Sequence, residues 1–186
     1  MTKIKVAEVF ESMSGRYGKK HVLRSVDGRT ILAGRPKRSG VKTPKQTEFE
    51  NRFKEAVKYA VFAKDNPMLW QKYESMTSNG KSAYNRAVGD FISVPTVNDV
   101  DVTGYAGQPG GRIIVTAMDK FEVIGVTVSI KKADGTLLEE GPAQQRDQTN
   151  FYVYYATLEN QDLAGTEVTA TVTDNPGHMV TESVTL

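Results

Sequence analysis

Two histidines, no cysteine and one dense run of cations are what this sequence offers to chemistry. A histidine base needs a nucleophile and an orienting group at hand. His21 and His178 stand far apart, and neither has such neighbours in sequence, so both are read as ordinary surface residues. The lack of cysteine excludes disulfide frameworks, zinc–thiolate sites and cysteine nucleophiles. No G-x-S-x-G elbow, Walker loop, H-E-x-x-H or G-x-G-x-x-G run occurs. Gly107 to Gly111 is glycine-rich but is expected between strands, where no helix N-terminus offers N–H groups to a phosphate. Asp99, Asp101, Asp119 and Asp174 fall near expected strand ends. Calcium takes about six to eight oxygens, and no D-x-D-x-D-G loop supplies them. These aspartates are read as turn residues that bond their own backbone. The sequence thus points to no catalytic residue, no cofactor, no metal ligand and no small-molecule substrate.

The strongest functional signal is cationic. Residues 16–45 carry Arg16, Lys19, Lys20, Arg24, Arg29, Arg35, Lys37, Arg38, Lys42 and Lys45, against Asp27 as the one acid. The stretch that follows differs, because Glu48 with Arg52 and Glu50 with Lys54 stand four apart and pair along a solvated helix face. Over the longer span, residues 1–95 hold 19 Lys+Arg and 9 Asp+Glu, while residues 96–186 hold 5 and 13. A formal net charge of +2 therefore hides a basic half and an acidic half. Such asymmetry marks regions with different surfaces and partners. The cationic window could meet an acidic protein surface, including the acidic half of a second copy. That contact is head to tail and builds rings or filaments. It could instead neutralise the phosphates of DNA or RNA, or simply keep the surface solvated. Gly34-Arg35-Pro36-Lys37-Arg38 matches part of an AT-hook, but Ala33 stands where the first groove-inserted arginine belongs. Tyr17 is the only aromatic in the window, whereas single-strand binders interleave aromatics for stacking.

These groups must be positioned by an α+β N-terminal module, residues 1–95. Asp27-Gly28 between two β-branched runs predicts a type I′ hairpin over 19–26 and 29–35. Thr43-Pro44-Lys45-Gln46 predicts a helix start, with Thr43 as N-cap and Gln46 closing a capping box. Phe49, Phe53, Ala56, Val57, Ala60 and Val61 recur at helical spacing and are assigned to the core. Asp65-Asn66-Pro67 predicts a stop and a second helix capped by Asn66. A third helix is expected from about Lys81 to Ile92. Residues 96–99 read as a linker.

Residues 96–186 change to alternation, as in Ile124, Val126, Val128 and Ile130 or Val168, Ala170 and Val172. This pattern buries one face of an antiparallel sheet. About seven strands are expected, near 98–103, 112–118, 123–131, 136–141, 150–157, 166–173 and 178–186. Such spacing predicts an all-β, immunoglobulin-like sandwich. In Phe151-Tyr152-Val153-Tyr154-Tyr155 both parities are apolar. One set is core and the other lies on an open face; Tyr152 and Tyr154 are the candidate contact residues there.

Gly125-Val126-Thr127-Val128-Ser129-Ile130, Ala133-Asp134-Gly135-Thr136 and the closing Ala170-Thr171-Val172-Thr173-Asp174-Asn175-Pro176-Gly177 resemble bacterial immunoglobulin-like domains. The whole layout, with Asp27-Gly28-Arg29-Thr30, Arg35-Pro36, Phe53-Lys54-Glu55-Ala56 and Ser82-Ala83-Tyr84-Asn85-Arg86-Ala87, resembles uncharacterised Bacteroidetes-type proteins in which a basic module precedes such a domain. The resemblance implies an architecture and no activity.

The functional expectation is a non-enzymatic structural or interaction protein. Its basic module would anchor to an acidic partner or assembly, and its sandwich would serve as spacer or adhesive surface. The N-terminus lacks an apolar signal-peptide core and no run suits a membrane span. Those features fit a cytoplasmic setting, or a phage-like particle built there. The alternative is a DNA- or RNA-binding protein that uses residues 16–45.

Overall fold

The structure, a computed structural model, describes residues 14–26, 29–35, 40–77 and 82–186. Contacts divide the chain into two units, one ending at Thr47 and one running from Glu48 to Leu186. The sequence reading divides it at residue 95 instead. The two divisions apportion charge differently. Residues 1–47 hold 12 Lys+Arg and 3 Asp+Glu, whereas residues 48–186 hold 12 and 19. The helical stretch is close to neutral and clusters with the β-rich part, so the cationic excess belongs to the strand unit alone.

That strand unit has three antiparallel strands, β1 (Gly15–Tyr17), β2 (His21–Val26) and β3 (Arg29–Gly34), in the order β1-β2-β3. The sequence predicts only β2 and β3. The extra strand is reached through a turn at residues 18–20, in which Gly18 takes φ 63°, a conformation that favours glycine. A lone hairpin is marginal in water, and a third strand supplies a further ladder. The Arg35 N–H extends the β2–β3 ladder by donating to the Lys20 carbonyl at 2.7 Å. The Asp27-Gly28 turn lies outside the described residues.

Helix α1 (Pro44–Asp65) starts as the sequence predicts. Thr43 N–H donates to Gln46 Oε1 at 2.9 Å, and Gln46 N–H returns a bond to Thr43 Oγ1 at 3.2 Å. Asn66 caps α2 (Pro67–Ser75) by accepting from Leu69 N–H, and Ser82 caps α3 (Ala83–Ile92) by accepting from Asn85 N–H. Ala56, Ala60 and Ala63 form a small-residue stripe that packs with Tyr73, Ala83, Ala87 and Val88. Phe49, Phe53 and Val61 depart from the expectation, because all three are exposed. Phe49 and Phe53 lie on the alanine stripe but about two turns and one turn upstream of Ala56. The bond from Arg52 to the Ile92 carbonyl, 3.0 Å, marks where α3 ends beside them. Among the described residues, no helix is long and apolar enough to cross a membrane.

The remaining strands are β4 (Thr96–Gly104), β5 (Arg112–Met118), β6 (Val123–Lys131), β7 (Leu137–Pro142), β8 (Gln144–Gln145), β9 (Phe151–Tyr155), β10 (Glu167–Asp174) and β11 (Met179–Thr185). They make two four-stranded antiparallel sheets, β4-β5-β9-β8 and β11-β10-β6-β7. The region is thus a mixed helical and stranded N-terminal part followed by a β-rich C-terminal part. Alternate residues of both sheets share one core: Ile113, Val115 and Ala117 on one side, Val126, Val128, Ile130, Val168, Ala170 and Val172 on the other. Residues 96–99 are not a linker. They open β4, and Val97 and Val100 pack on that core. The short β8 was not legible as a strand. It is joined to β9 by a turn in which Asp147 and Gln148 both take positive φ, 49° and 56°, with Thr149 N–H donating to the Arg146 carbonyl at 2.9 Å. Two left-handed central residues define a type I′ reversal. Gly107 to Gly111 is a turn as read. Gly107 has φ 78°, and a Cβ there would collide with the Asn160 carbonyl.

Candidate functional site

Register places the cations of the strand unit. Arg16 lies opposite Val22, Val22 opposite Ala33, and Arg24 opposite Ile31. Opposed residues share a face, and so do residues two apart on one strand. Arg16, Val22, Arg24, Ile31 and Ala33 therefore line one face: an apolar centre with two guanidinium groups. Diagonal neighbours of this kind stand about 7–8 Å apart at the backbone. Lys19 and Lys20 sit in the β1–β2 turn, and Arg35 follows β3 at the same end, tied there by its bond to Lys20. Arg16, Lys19, Lys20, Arg24, Arg35, Lys42 and Lys45 are all exposed. Among the described residues, no ion pair engages Arg16, Lys19, Lys20, Arg24, Arg35 or Lys45. The side chain of Arg29, and all of Lys37 and Arg38, lie outside what the structure describes. His21 falls on the opposite face, with Tyr17 beside it.

A second surface lies on the outer face of β4-β5-β9-β8. Tyr152 and Tyr154, the expected contact residues, are only 6% and 7% exposed. Phe151 and Tyr155 are open instead, at 48% and 60%. The phase is set by Tyr154, whose hydroxyl donates inward to the buried Glu139 Oε2 at 3.1 Å. That same oxygen accepts from Thr157 N–H at 2.8 Å, Thr157 Oγ1 at 2.5 Å and Leu158 N–H at 3.3 Å, so it fixes the segment after β9. The outer face then reads in rows: Asp99, Thr116, Phe151, and next to it Asp101, Ile114, Val153. A groove of about 430 Å³ crosses these rows, bordered also by Arg146 and Asp147.

A third cluster joins the helices to the β-rich part. Tyr73 donates to Asp90 Oδ2 at 2.5 Å, which leaves its own oxygen to accept from Tyr59 at 2.7 Å. Asp90 and Asp174 are fully buried. Asp174 holds His178 twice, through its N–H at 2.6 Å and its Nδ1 at 2.7 Å, and the His178 ring stands edge-on to Phe91 at 5.1 Å. Burial pushes the Asp90 carboxyl up to about 6; the Tyr73 bond and His178 draw it down, and Asp119 and Asp174 push it further. Burial likewise raises Tyr59 to about 12 and Tyr73 well above its ordinary value. Half-exposed Lys72 adds a bond to Glu122 at 2.9 Å, which Asn175 shares at 3.1 Å. Perturbed groups gather in structural networks as well as in active sites. Here Tyr59, Tyr73 and Asp90 tie the three helices together, while Lys72 and the Phe91–His178 ring contact reach the β-rich part, so the cluster acts as a polar clasp between α2, α3 and the β10–β11 turn. His178 is therefore not the plain surface residue that the sequence suggests. The signal that could have found Asp90 is its place three residues after Ala87 and seven after Ala83, on the buried stripe of α3.

The four aspartates weighed as oxygen ligands are not brought together. Asp101 Oδ1 accepts from Thr103 N–H and Oγ1, Asp119 Oδ1 accepts from Phe121 and Glu122 N–H groups, and Asp174 holds His178. Among the described residues, no group of three or more His, Cys, Asp or Glu could hold a metal ion.

No family model matches this chain, and no curated protein matches it. Among solved structures, CopC from Methylosinus trichosporium OB3b is similar over 49% of this chain and 87% of its own, at 18% identity and a TM-score of 0.36. An engineered protein is similar over 55% of this chain and 26% of its own, at 16% identity and a TM-score of 0.33. At those scores neither likeness carries an argument, and the reading rests on the chain's own surfaces.

Proposed function

We propose that this chain is a non-enzymatic interaction protein whose basic strand unit docks on an acidic partner surface, while an immunoglobulin-like sandwich spaces or presents it. One observation carries the reading: Arg16 and Arg24 share an open sheet face, with Lys19, Lys20 and Arg35 at its end, and no ion pair engages them among the described residues. Cations that are solvated and uncompensated in the free chain keep their full Coulomb attraction for a partner. The immunoglobulin-like identity is supported by strand order. Naming β4 to β11 as A, B, C, C′, D, E, F and G turns the two sheets into A-B-E-D and G-F-C-C′, the arrangement of that fold. A core built from inward-facing residues of both sheets supports it too.

The test is fluorescence anisotropy of the full chain against labelled poly-glutamate and, separately, a DNA duplex. Binding to poly-glutamate that weakens with added salt, and weakens further when Arg16→Glu and Arg24→Glu are combined, agrees with the proposal. Failure to bind poly-glutamate at low salt overturns it. Binding only to the duplex, with log K falling by roughly 5 per decade of salt for about six phosphate contacts, would move the reading to nucleic acid.

A further inference from the structure

We infer that the acidic partner is a second copy of this chain: the Arg16–Arg24 face of one copy's strand unit seats on the outer face of β4-β5-β9-β8 of the next. The inference rests on the reading above and names its partner. The strand unit's face is three strands wide and the outer sheet face four, and each has an apolar middle. Val22, Ile31 and Ala33 form one middle; Phe151 and the partly exposed Ile114, beside the buried Val153, form the other. Ile31 and Phe151 are each about half exposed, which is costly for large apolar groups left in water. Strands of two sheets that meet face to face interdigitate at about 10 Å, so two such apolar middles can close on each other.

Charge decides the pairing. The strand unit brings Arg16 and Arg24 at the margin of its apolar centre. The outer sheet face brings Asp99 and Asp101 along its β4 border, with Arg112 on the same face near Asp101 and Arg146 paired to Asp147 at the groove's edge. The Asp99 carboxylate has no partner among the described residues. The Thr103 bonds hold Asp101 below the usual carboxylate range, so it stays charged. The imbalance extends to whole units, since residues 1–47 are strongly basic and residues 48–186 acidic. Two like units repel, whereas unlike units of neighbouring copies attract. Because the two surfaces differ, the contact is heterologous, and each copy keeps one free surface of each kind. Repetition then gives a closed ring or an open filament.

The experiment uses full chains with one reversed charge on either side, Arg24→Glu or Asp99→Lys. Each reversal sets like charges opposite one another in a homogeneous sample. Mixing the two restores Arg24 opposite Asp99 and places the new acid opposite the new lysine. Sedimentation velocity at low salt is expected to show concentration-dependent assembly of the unaltered chain, at least about tenfold weaker association for each variant alone, and recovery in the mixture. Circular dichroism checks that the variants fold. Should either fail to fold, a salt series on the unaltered chain decides, with stronger association at lower salt expected. A strict monomer at every concentration and salt overturns the inference, and so does a mixture that associates no better than its components. If poly-glutamate still binds in either case, the basic face keeps its role and only the identity of the partner falls. If the unaltered chain neither assembles nor binds poly-glutamate, both fall.

Discussion

Asp90→Asn probes how the helices are held to the β-rich part. The wild-type carboxyl has a folded value of about 6 against an ordinary 3.8, mainly because it is buried. A proton held more tightly in the folded chain than in the unfolded one lends stability while it is bound. That stability is fully present below 3.8 and drains away as pH rises through about 6. At about 1.4 kcal/mol per unit, it amounts to at most about 3 kcal/mol. Asparagine cannot titrate, yet its carbonyl can still accept from Tyr73. The variant should therefore be less stable than the wild type at the acid end, where an unpaired buried N–H costs about 1–3 kcal/mol. By neutral pH it should match or exceed the wild type, which has by then lost its own contribution. Other groups titrate in both proteins, so the difference between them isolates Asp90. Trp70, the sole tryptophan, lies on α2 within the helical core and reports unfolding by fluorescence. Urea titrations from about pH 4 to pH 7 should give a difference in unfolding free energy that changes by about 2–3 kcal/mol across the window. Parallel curves for the two proteins would refute the claim that a buried, titrating Asp90 lies in this clasp.

Two further outcomes follow from the same network and from its counterpart beyond β9. Tyr73→Phe should cost about 1–3 kcal/mol by removing the donor to Asp90, and should move the pH window upward, because that bond draws the Asp90 value down; the same urea series reads both. Glu139→Gln should cost about 1.5–3 kcal/mol, since its charge-assisted bonds from Thr157, Leu158 and Tyr154 become neutral ones. Faster amide exchange at Thr157 and Leu158 would accompany the loss, and unchanged exchange there would count against this role for Glu139.

Local chemistry was the most legible part of the sequence. Thr43 with Gln46, and Asn66 ahead of Pro67, announce helix starts through groups that act within a few residues, and both caps are present. Alternation fixed β6 over residues 124–131 because only one parity is apolar there, whereas in β5 Ile114 and Met118 share the parity of Arg112 and Thr116. It failed at residues 151–155, where both parities are apolar and the choice falls to a distant acid, Glu139. Phe49 and Phe53 were misassigned for a related reason. Helical spacing defines a stripe but not how far the partner helix reaches along it. The clasp of Asp90, Asp174 and His178 joins residues up to 88 positions apart, and no local pattern signals such a meeting. The charge split was visible at once; a division at 95, where the helical pattern ends, counts the nearly neutral helices with the cationic strands, whereas contacts divide the chain after Thr47.

The claim that the cations of β1 and β2 form one contact surface, and do not merely add net charge, is tested most directly by salt elution of full-length variants from an acidic polypeptide resin. Arg16→Gln combined with Arg24→Gln removes two positive charges from the shared face; Lys131→Gln combined with Lys132→Gln removes the same charge from the end of β6. The account predicts that the arginine variant elutes at clearly lower salt while the lysine variant stays close to the unaltered chain. Equal shifts for the two would contradict it.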